Sequence, residues 1–340
     1  MRATTQKALR YLFDQAVGNR VRAAIDRRVE AKVSELLSLL SENVDGEPAL
    51  RKCLADKPWK QNFYIPPAHL YGTDHTAPFM QYSTCCAADF MHPRFSELSA
   101  FLALPPMFHR KYWEWVLIIH TAITNHVGPG RRVLGFGVGA EPLSSAFAKL
   151  GATVVGTDAP PEIGVGQGWS KDQVSFAESA EKLFDPKIVD RTAFERLVSF
   201  EVCDMNNIRR DLTGFDFCWS SCCLEHLGSL KHGLDFIVNS VESTLKVGGI
   251  ACHTTEFNMS SNDATVEDGP TVLYRKCDLE QLIGELRRRG HKVDDIRISP
   301  ITSHVDTYVD TPPYSVPPHL KLDLYGHTST SIGLTITRGR

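Results

Sequence analysis

A doubly wound, Rossmann-like α/β sheet with a terminal antiparallel strand, preceded by an N-terminal, mainly helical extension or lid, is the fold this chain predicts. Three observations carry it. From about residue 130 to the C-terminus, short apolar runs alternate with amphipathic stretches, the pattern of repeated βα units. One run, Arg132-Val-Leu-Gly135-Phe-Gly137-Val-Gly139-Ala-Glu141-Pro, passes through closely spaced glycines into a helical stretch. Nineteen residues after Gly139, Asp158 closes the next apolar run.

The elements follow in order. Residues 1–45 read as a long helix or helices: Thr4 to Asn43 hold no proline and no glycine but Gly18, and apolar residues recur at every fourth position from Leu9 to Leu37. A step of four overshoots the helical repeat, so the stripe drifts around the helix. It suits packing on the body or on a second copy of the chain, a possible homo-oligomer contact. Arg10, Arg20, Arg22, Arg27, Arg28 and Lys32 outnumber the acids there, which would permit contact with a membrane surface, although such charges usually form a solvated face.

Residues 46–126 read as a lid or substrate-binding segment, rich in Pro, His, Tyr and Phe up to Phe108, with a helix from Arg110 that stops before Gly128-Pro-Gly130. Residues 127–340 form the sheet domain. Its strands are expected at Arg131–Gly135, Thr153–Thr157, Val198–Cys203, Phe215–Ser220 and Ile250–Thr254, with the last near Val293–Ile298 and Thr330–Thr337. Helices are expected at Ser144–Leu150, Leu234–Leu245 and Asp278–Arg289, and Lys246-Val-Gly-Gly249 is a turn.

Composition narrows the class. The chain has 340 residues, 42% hydrophobic and 23% charged, as soluble globular proteins do. A net charge of -3 argues against a nucleic-acid binder, which usually carries a basic excess. Nine cysteines without a secretory signal in front lead us to expect reduced thiols and a cytoplasmic location. No CxxC pair has zinc-site spacing, and no apolar run reaches transmembrane length.

A strand, a glycine turn and a helix, with an acid ending the next strand, hold an adenosine-containing cofactor. Glu141 bears on which one. A pyrophosphate would sit at the helix N-terminus this carboxylate occupies, and two anions would repel there. S-adenosylmethionine has no phosphate and carries an ammonium and a sulfonium, which an acid would favour.

The order of these motifs resembles the class I S-adenosylmethionine-dependent methyltransferases, over roughly Gly130 to the C-terminus. The resemblance implies that Gly135, Gly137 and Gly139 surround the methionine portion of the cofactor. It implies that Asp158 binds the ribose hydroxyls and that Asp204, with Met205 beside it, borders the adenine. Leu245-Lys-Val-Gly248-Gly249 matches the turn the family places before its fifth strand. Two positions depart from the pattern: Gly135 stands where an acid usually precedes the first glycine, and Glu141 stands for the usual last glycine. Glu141 is therefore assigned to the cofactor ammonium, and Ser220 is counted among the cofactor contacts.

Two segments read as the reaction site because both end central strands: Trp219 to Gly228, with Glu225 and His226, and His253 to Asn258, with Glu256. The EHxG motif and the histidine of the fifth strand are similar to features of the cyclopropane-synthase branch, which implies site roles for Glu225 and His253. Methyl transfer to a hydroxyl needs alignment and a base; His253 or His226 is the expected base, oriented by Glu225 or Glu256. The motif wording is similar to a bacterial group associated with glycan assembly, which implies a saccharide or other small hydroxylated acceptor. An NAD(P)-dependent oxidoreductase and a noncatalytic cofactor-binding scaffold are the alternatives. Trp169 is a candidate to pack on adenine. No metal is expected; His304, Asp306 and Asp310, at alternating positions that would share one side of a strand, are the weak candidates for one.

Overall fold

Strands apolar on both faces need helices on both sides of their sheet, and the chain is built so. The computed structural model describes residues 78–160, 177, 179–312, 314 and 317–340. The expected N-terminal helix, the lid segment up to residue 77 and Trp169 lie outside the described residues. One eight-stranded sheet contains β1 (Arg132–Phe136), β2 (Thr153–Asp158), β3 (Val198–Val202), β4 (Phe215–Ser221), β5 (Leu245–Asn258), β6 (Lys292–Val293), β7 (Lys321–Leu324) and β8 (His327–Thr337). Its order is β3-β2-β1-β4-β5-β8-β6, with β7 also paired to β8. The first five strands are parallel and β8 is antiparallel to β5, so the predicted fold class holds. The chain winds outward from β1 to β3 and returns to start β4 beside β1. That reversal is a switch point, where open α/β sheets bind ligands at the carboxyl ends of their strands.

The helices are α1 (Ala87–Met91), α2 (Pro93–Phe101), α3 (Arg110–Thr124), α4 (Leu143–Lys149), α5 (Arg191–Leu197), α6 (Leu230–Asn239) and α7 (Lys276–Arg288). Alternation along the strands feeds two cores. Val133, Phe217, Trp219 and Cys252 join the core containing Trp113 and Leu117 of α3 and Phe147 of α4. Leu134, Cys218 and Ala251 join the one containing Phe236 of α6 and Leu282 of α7. Gly333 of β8 lets α3 close on the sheet: a Cβ there would lie 2.2 Å from Leu117. Cys218 and Cys252 are fully buried and free, and act as small hydrophobes.

Four sequence expectations change. The Lys246 to Gly249 turn lies inside β5, where the pairing with β4 jumps from Phe215↔Leu245 to Phe217↔Ile250, so these residues bulge and Gly248 takes a left-handed φ of 82°. The expected helix over Leu234–Leu245 starts earlier, as α6 with Ser229 as its N-cap, and ends in one π turn, Ser240–Thr244. The strand expected at Val293–Ile298 pairs with β8 over Lys292–Val293 alone, because Arg297 and Ser299 give their N–H groups to the Ser83 and Thr84 hydroxyls. His304 to Asp306 lie in a 3₁₀ turn, capped by Ser303, rather than on a strand. The described part of the lid segment is helical and tied to the body, since buried Asp89 accepts both Met80 N–H and the Trp113 indole N–H.

Candidate active site

The glycine turn leaves β1 at the switch point and is bracketed by the residues expected around it. Gly137 and Gly139 have φ of 57° and 47°, which L side chains resist. A Cβ on Gly137 would lie 2.8 Å from Cys223 Sγ and 3.6 Å from Met205 Sδ. Asp158, 5% exposed, accepts the N–H groups of Gly139 (3.1 Å), Ala159 (2.9 Å) and Ala177 (3.0 Å). Asp204 is half-buried and holds the turn after β3 through Asn206 N–H at 2.8 Å. Gly135, Gly137, Gly139, Asp158, Asp204 and Met205 thus come together at one edge of the sheet.

The two departures from the family pattern have one structural cause. Gly135 makes room for the Trp219 ring, to which a Cβ would come within 2.3 Å, and the same indole donates its N–H to Glu141 Oε1 at 2.7 Å. The ring stacks on Phe147 with 4.6 Å between centroids. Burial pushes the Glu141 carboxyl up to about 8, against the Trp219 hydrogen bond and the nearby Lys111 ammonium. Trp115 Nε1, on α3, is buried and faces the same carboxyl, where its N–H also favours the ionised form, though outside close hydrogen-bond geometry.

Beside this turn lies a cluster that sequence reasoning missed, supplied by the first turn of α3. Glu114 is fully buried; it accepts hydrogen bonds from Arg110 (3.3 Å), Lys111 (3.1 Å), Ser221 (3.0 Å), Cys222 (3.1 Å), Thr254 (3.1 Å) and Ser331 (2.5 Å). Burial alone would raise its carboxyl, but Lys111, Arg110 and the hydroxyl donors hold it at about 2. Arg110 also pairs with Glu256, which accepts the Ser329 hydroxyl at 2.7 Å. Lys111 reaches the Ser221 carbonyl at 3.2 Å and stays 30% exposed, the outermost charge of the group. The available signal was a glutamate on the buried stripe of an apolar helix, three and four residues after two bases.

Glu225 lies in the same cluster, 1% exposed, with the Thr255 hydroxyl donating to Oε2 at 3.0 Å. Two cations, Arg110 and Lys111, match two carboxylates, Glu114 and Glu256. Glu225 is a third acid beside them; burial raises its pKa, and the charge of the adjacent His226 works against that rise. Among the described residues, Cys222, Glu225 and Glu256 form the group with metal-ligand spacing, their donor atoms within 4.8 Å of one another. Arg110 already supplies the positive charge there, and burial keeps the Cys222 thiol protonated, donating to Glu114. The other candidate set is dispersed: Asp306 accepts N–H groups of Ala87, Thr302 and Ser303, and Asp310 pairs with His319.

The remaining expected residues point elsewhere. His253 is the main correction: its Nδ1 meets the Ser220 hydroxyl at 2.8 Å and its Nε2 the Ser240 hydroxyl at 3.0 Å, in the core under α6. Burial lowers its pKa to about 3, so it is a neutral core histidine. Ser220 is turned to that same side and fully buried, away from the glycine turn. The strand-end position was read correctly, but side-chain alternation sends Thr254, not His253, toward α3. His226 turns outward, its Nδ1 2.7 Å from the Pro270 carbonyl oxygen, while its neighbour Glu225 turns in.

Sheet order, switch point and glycine turn together make a doubly wound, Rossmann-like sheet with its ligand crevice at the glycine turn. No family model matches the chain. No curated protein matches it either. Among solved structures it is similar to the CcbJ methyltransferase from Streptomyces caelestis, at 11% identity over 70% of this chain and 92% of that one, TM-score 0.39. It is also similar to an S-adenosylmethionine-dependent methyltransferase from Clostridium acetobutylicum ATCC 824, at 13% identity over 73% and 98%, TM-score 0.38. A third is the N-terminal domain of EvdMO1 with SAH bound, at 14% identity over 66% and 81%, TM-score 0.38. Likenesses of this size carry no residue's role across. No helix among the described residues is long and apolar enough to cross a membrane.

Proposed function

We propose that this chain is an S-adenosylmethionine-dependent methyltransferase that methylates oxygen of a saccharide or other small hydroxylated acceptor. The observation that carries the reading is the acid-bordered glycine turn at the switch point, with Glu141 and Asp158 on its two sides. Carboxyls on both sides leave a pyrophosphate no positive partner there, whereas a cationic cofactor would draw Glu141, protonated up to about pH 8 by its buried setting, into its charged form. The residues present fit that group: Asp158 Oδ1 accepts one N–H and keeps a lone pair for a ribose hydroxyl, Glu141 once ionised would suit the ammonium, and the part-exposed Lys111 would suit the carboxylate. Asp204 and Met205 would border the adenine. The cofactor would supply the methyl group as a sulfonium; the chain's part is to align the acceptor and exclude water. Glu225, buried in the cluster, would accept a hydrogen bond from the acceptor.

Calorimetry against S-adenosylmethionine and NAD tests the cofactor: micromolar binding of the first and none of the second is expected, and the reverse would sink the reading in favour of an oxidoreductase. A transfer screen with labelled methyl donor over methyl glycosides, nucleotide-sugars and phenols tests the acceptor. Labelling of amine or thiol acceptors alone would exclude oxygen.

A further inference from the structure

Eleven histidines of the chain fall among the described residues, and His291 and His319 each set a ring nitrogen on a carboxylate. His291 has Nε2 on Glu242 at 3.3 Å, but its Nδ1 accepts Gly339 N–H, so both nitrogens are engaged. It also lies beside the Lys292↔Thr337 pair, next to the amino end of β5 and away from the glycine turn. His319 differs on both counts. Its Nδ1 is 2.5 Å from Asp310 Oδ2, and its Nε2 has no hydrogen-bond partner among the described residues.

Main-chain pairing holds both residues over the carboxyl end of the sheet. Asp310 gives its N–H to Lys321 O and accepts Asp323 N–H, which makes it an extra rung beside β7. β7 pairs with β8 at Leu322↔Ser329, and Ser329 pairs with Asn258 at the carboxyl end of β5. His319 is pinned by Phe108 O and Arg110 N–H, immediately before α3. The residue therefore stands beside the arginine that binds Glu114 and Glu256, and the charges of Arg110 and Glu256 both act on its ring.

Resting on the methyltransferase reading above, we propose that His319, oriented by Asp310, is the general base that takes the acceptor's proton. The carboxylate fixes the tautomer: Nδ1–H donates to Asp310, so Nε2 carries the lone pair. The acceptor O–H bond breaks toward Nε2 as the oxygen bonds to the methyl carbon. The methyl–sulfur bond breaks with its electron pair on sulfur, leaving a neutral thioether, an ether product and an imidazolium that Asp310 stabilises. A solvent molecule then removes the proton. The groups facing the ring are compatible with a neutral resting state. Burial lowers the pKa of His319; Asp310 and Glu256 favour its charged form and Arg110 opposes it, while His109, itself held down to about 4 by burial, stacks on it at 4.6 Å. Tyr314 packs edge-on at 5.8 Å. His319 retains 16% side-chain exposure, a path for an acceptor that the buried His253 lacks.

The test has two arms on the full chain. In the first, diethyl pyrocarbonate at pH 7 is followed by peptide mass spectrometry. His319 is expected to acylate while His253 stays unmodified, and Asp310→Asn to slow the reaction several-fold by removing the tautomer lock. An unreactive His319, or a rate unchanged in Asp310→Asn, overturns the proposal. Calorimetry with S-adenosylmethionine accompanies it: wild type, His319→Asn and Asp310→Asn should bind alike, and failure of wild type to bind defeats the methyltransferase reading, not the dyad. In the second arm, transfer to methyl glycosides is measured across pH. His319→Asn should lower kcat by about 10²–10⁴-fold with KM little changed and abolish the acidic limb of the profile. A phenol already ionised at pH 8, 4-nitrophenol, should lose far less. An unchanged kcat on glycosides overturns the assignment; if no glycoside is methylated, the saccharide reading fails and the acylation arm judges the dyad.

Discussion

The two sides of β5 near its carboxyl end solve the same problem, polar groups deep in a core, in opposite ways. Toward α3, Thr254 and Glu256 enter a cluster in which charge is matched by charge and Glu114 takes six hydrogen bonds. Toward α6, His253 stays neutral between two serine hydroxyls. The difference teaches that a strand-end polar residue says little about function until its side is known. Charge gathers on the side where α3 delivers Arg110 and Lys111, next to the glycine turn.

The largest expected break is on the charged side. Glu114→Ala leaves Arg110 and Lys111 without their shared carboxylate and should cost about 3–5 kcal/mol in urea unfolding. The wild-type contribution should also fade with acid: the folded carboxyl titrates near 2, below its usual 4.5, so the stabilisation is full above 4.5 and lost as pH falls toward 2. Glu114→Gln should lack that acid-sensitive component.

Next comes the neutral side. His253→Ala should cost about 2–3 kcal/mol, from lost packing against Phe236 and from two hydroxyls left short of a partner. Because the folded ring refuses a proton until about 3, wild type should lose stability between pH 6.5 and 3, where the unfolded chain binds the proton first. The variant should lose less over that window. If His253→Ala instead unfolded normally and abolished only methyl transfer, the contrast between the two sides would collapse.

A smaller effect is expected at Glu141. Its folded pKa is raised to about 8, so the favourable protonated state is lost as pH rises through 8. Glu141→Gln should stabilise by about 1 kcal/mol at pH 9, little at pH 4, and weaken S-adenosylmethionine binding in the same preparation. Smallest of all is the response to chelation: dialysis against EDTA should leave unfolding and cofactor binding unchanged, because Arg110 provides the cation of the cluster. A shift in the unfolding midpoint restored by zinc would reassign Cys222, Glu225 and Glu256.

The local signals in the chain were read well where chemistry and period coincide. The strand–glycine–helix run and Asp158 depend on steric freedom and charge at single positions, and they meet in space as expected. Glu141 was singled out by charge alone; its bond to Trp219, and the reason Gly135 replaces an acid, could not be read because the indole comes from a strand 78 residues away. His253 was misplaced because period-two alternation shows which residues share a side but not which helix covers it. The Arg110 to Glu114 turn was overlooked because its partners Ser221, Thr254 and Ser331 lie 107 to 217 residues distant.

By itself, then, the sequence determined the class of sheet, the glycine turn and the acids that border it, since steric freedom and charge at these positions are local properties. The tertiary structure decided which polar residues meet. It put Glu114 among two cations and three hydroxyls, closed His253 between two serines, and set His319 against Asp310. Hydrogen bonds and ion pairs reach only about 3 Å, so partners distant in sequence are chosen by how helices and strands pack.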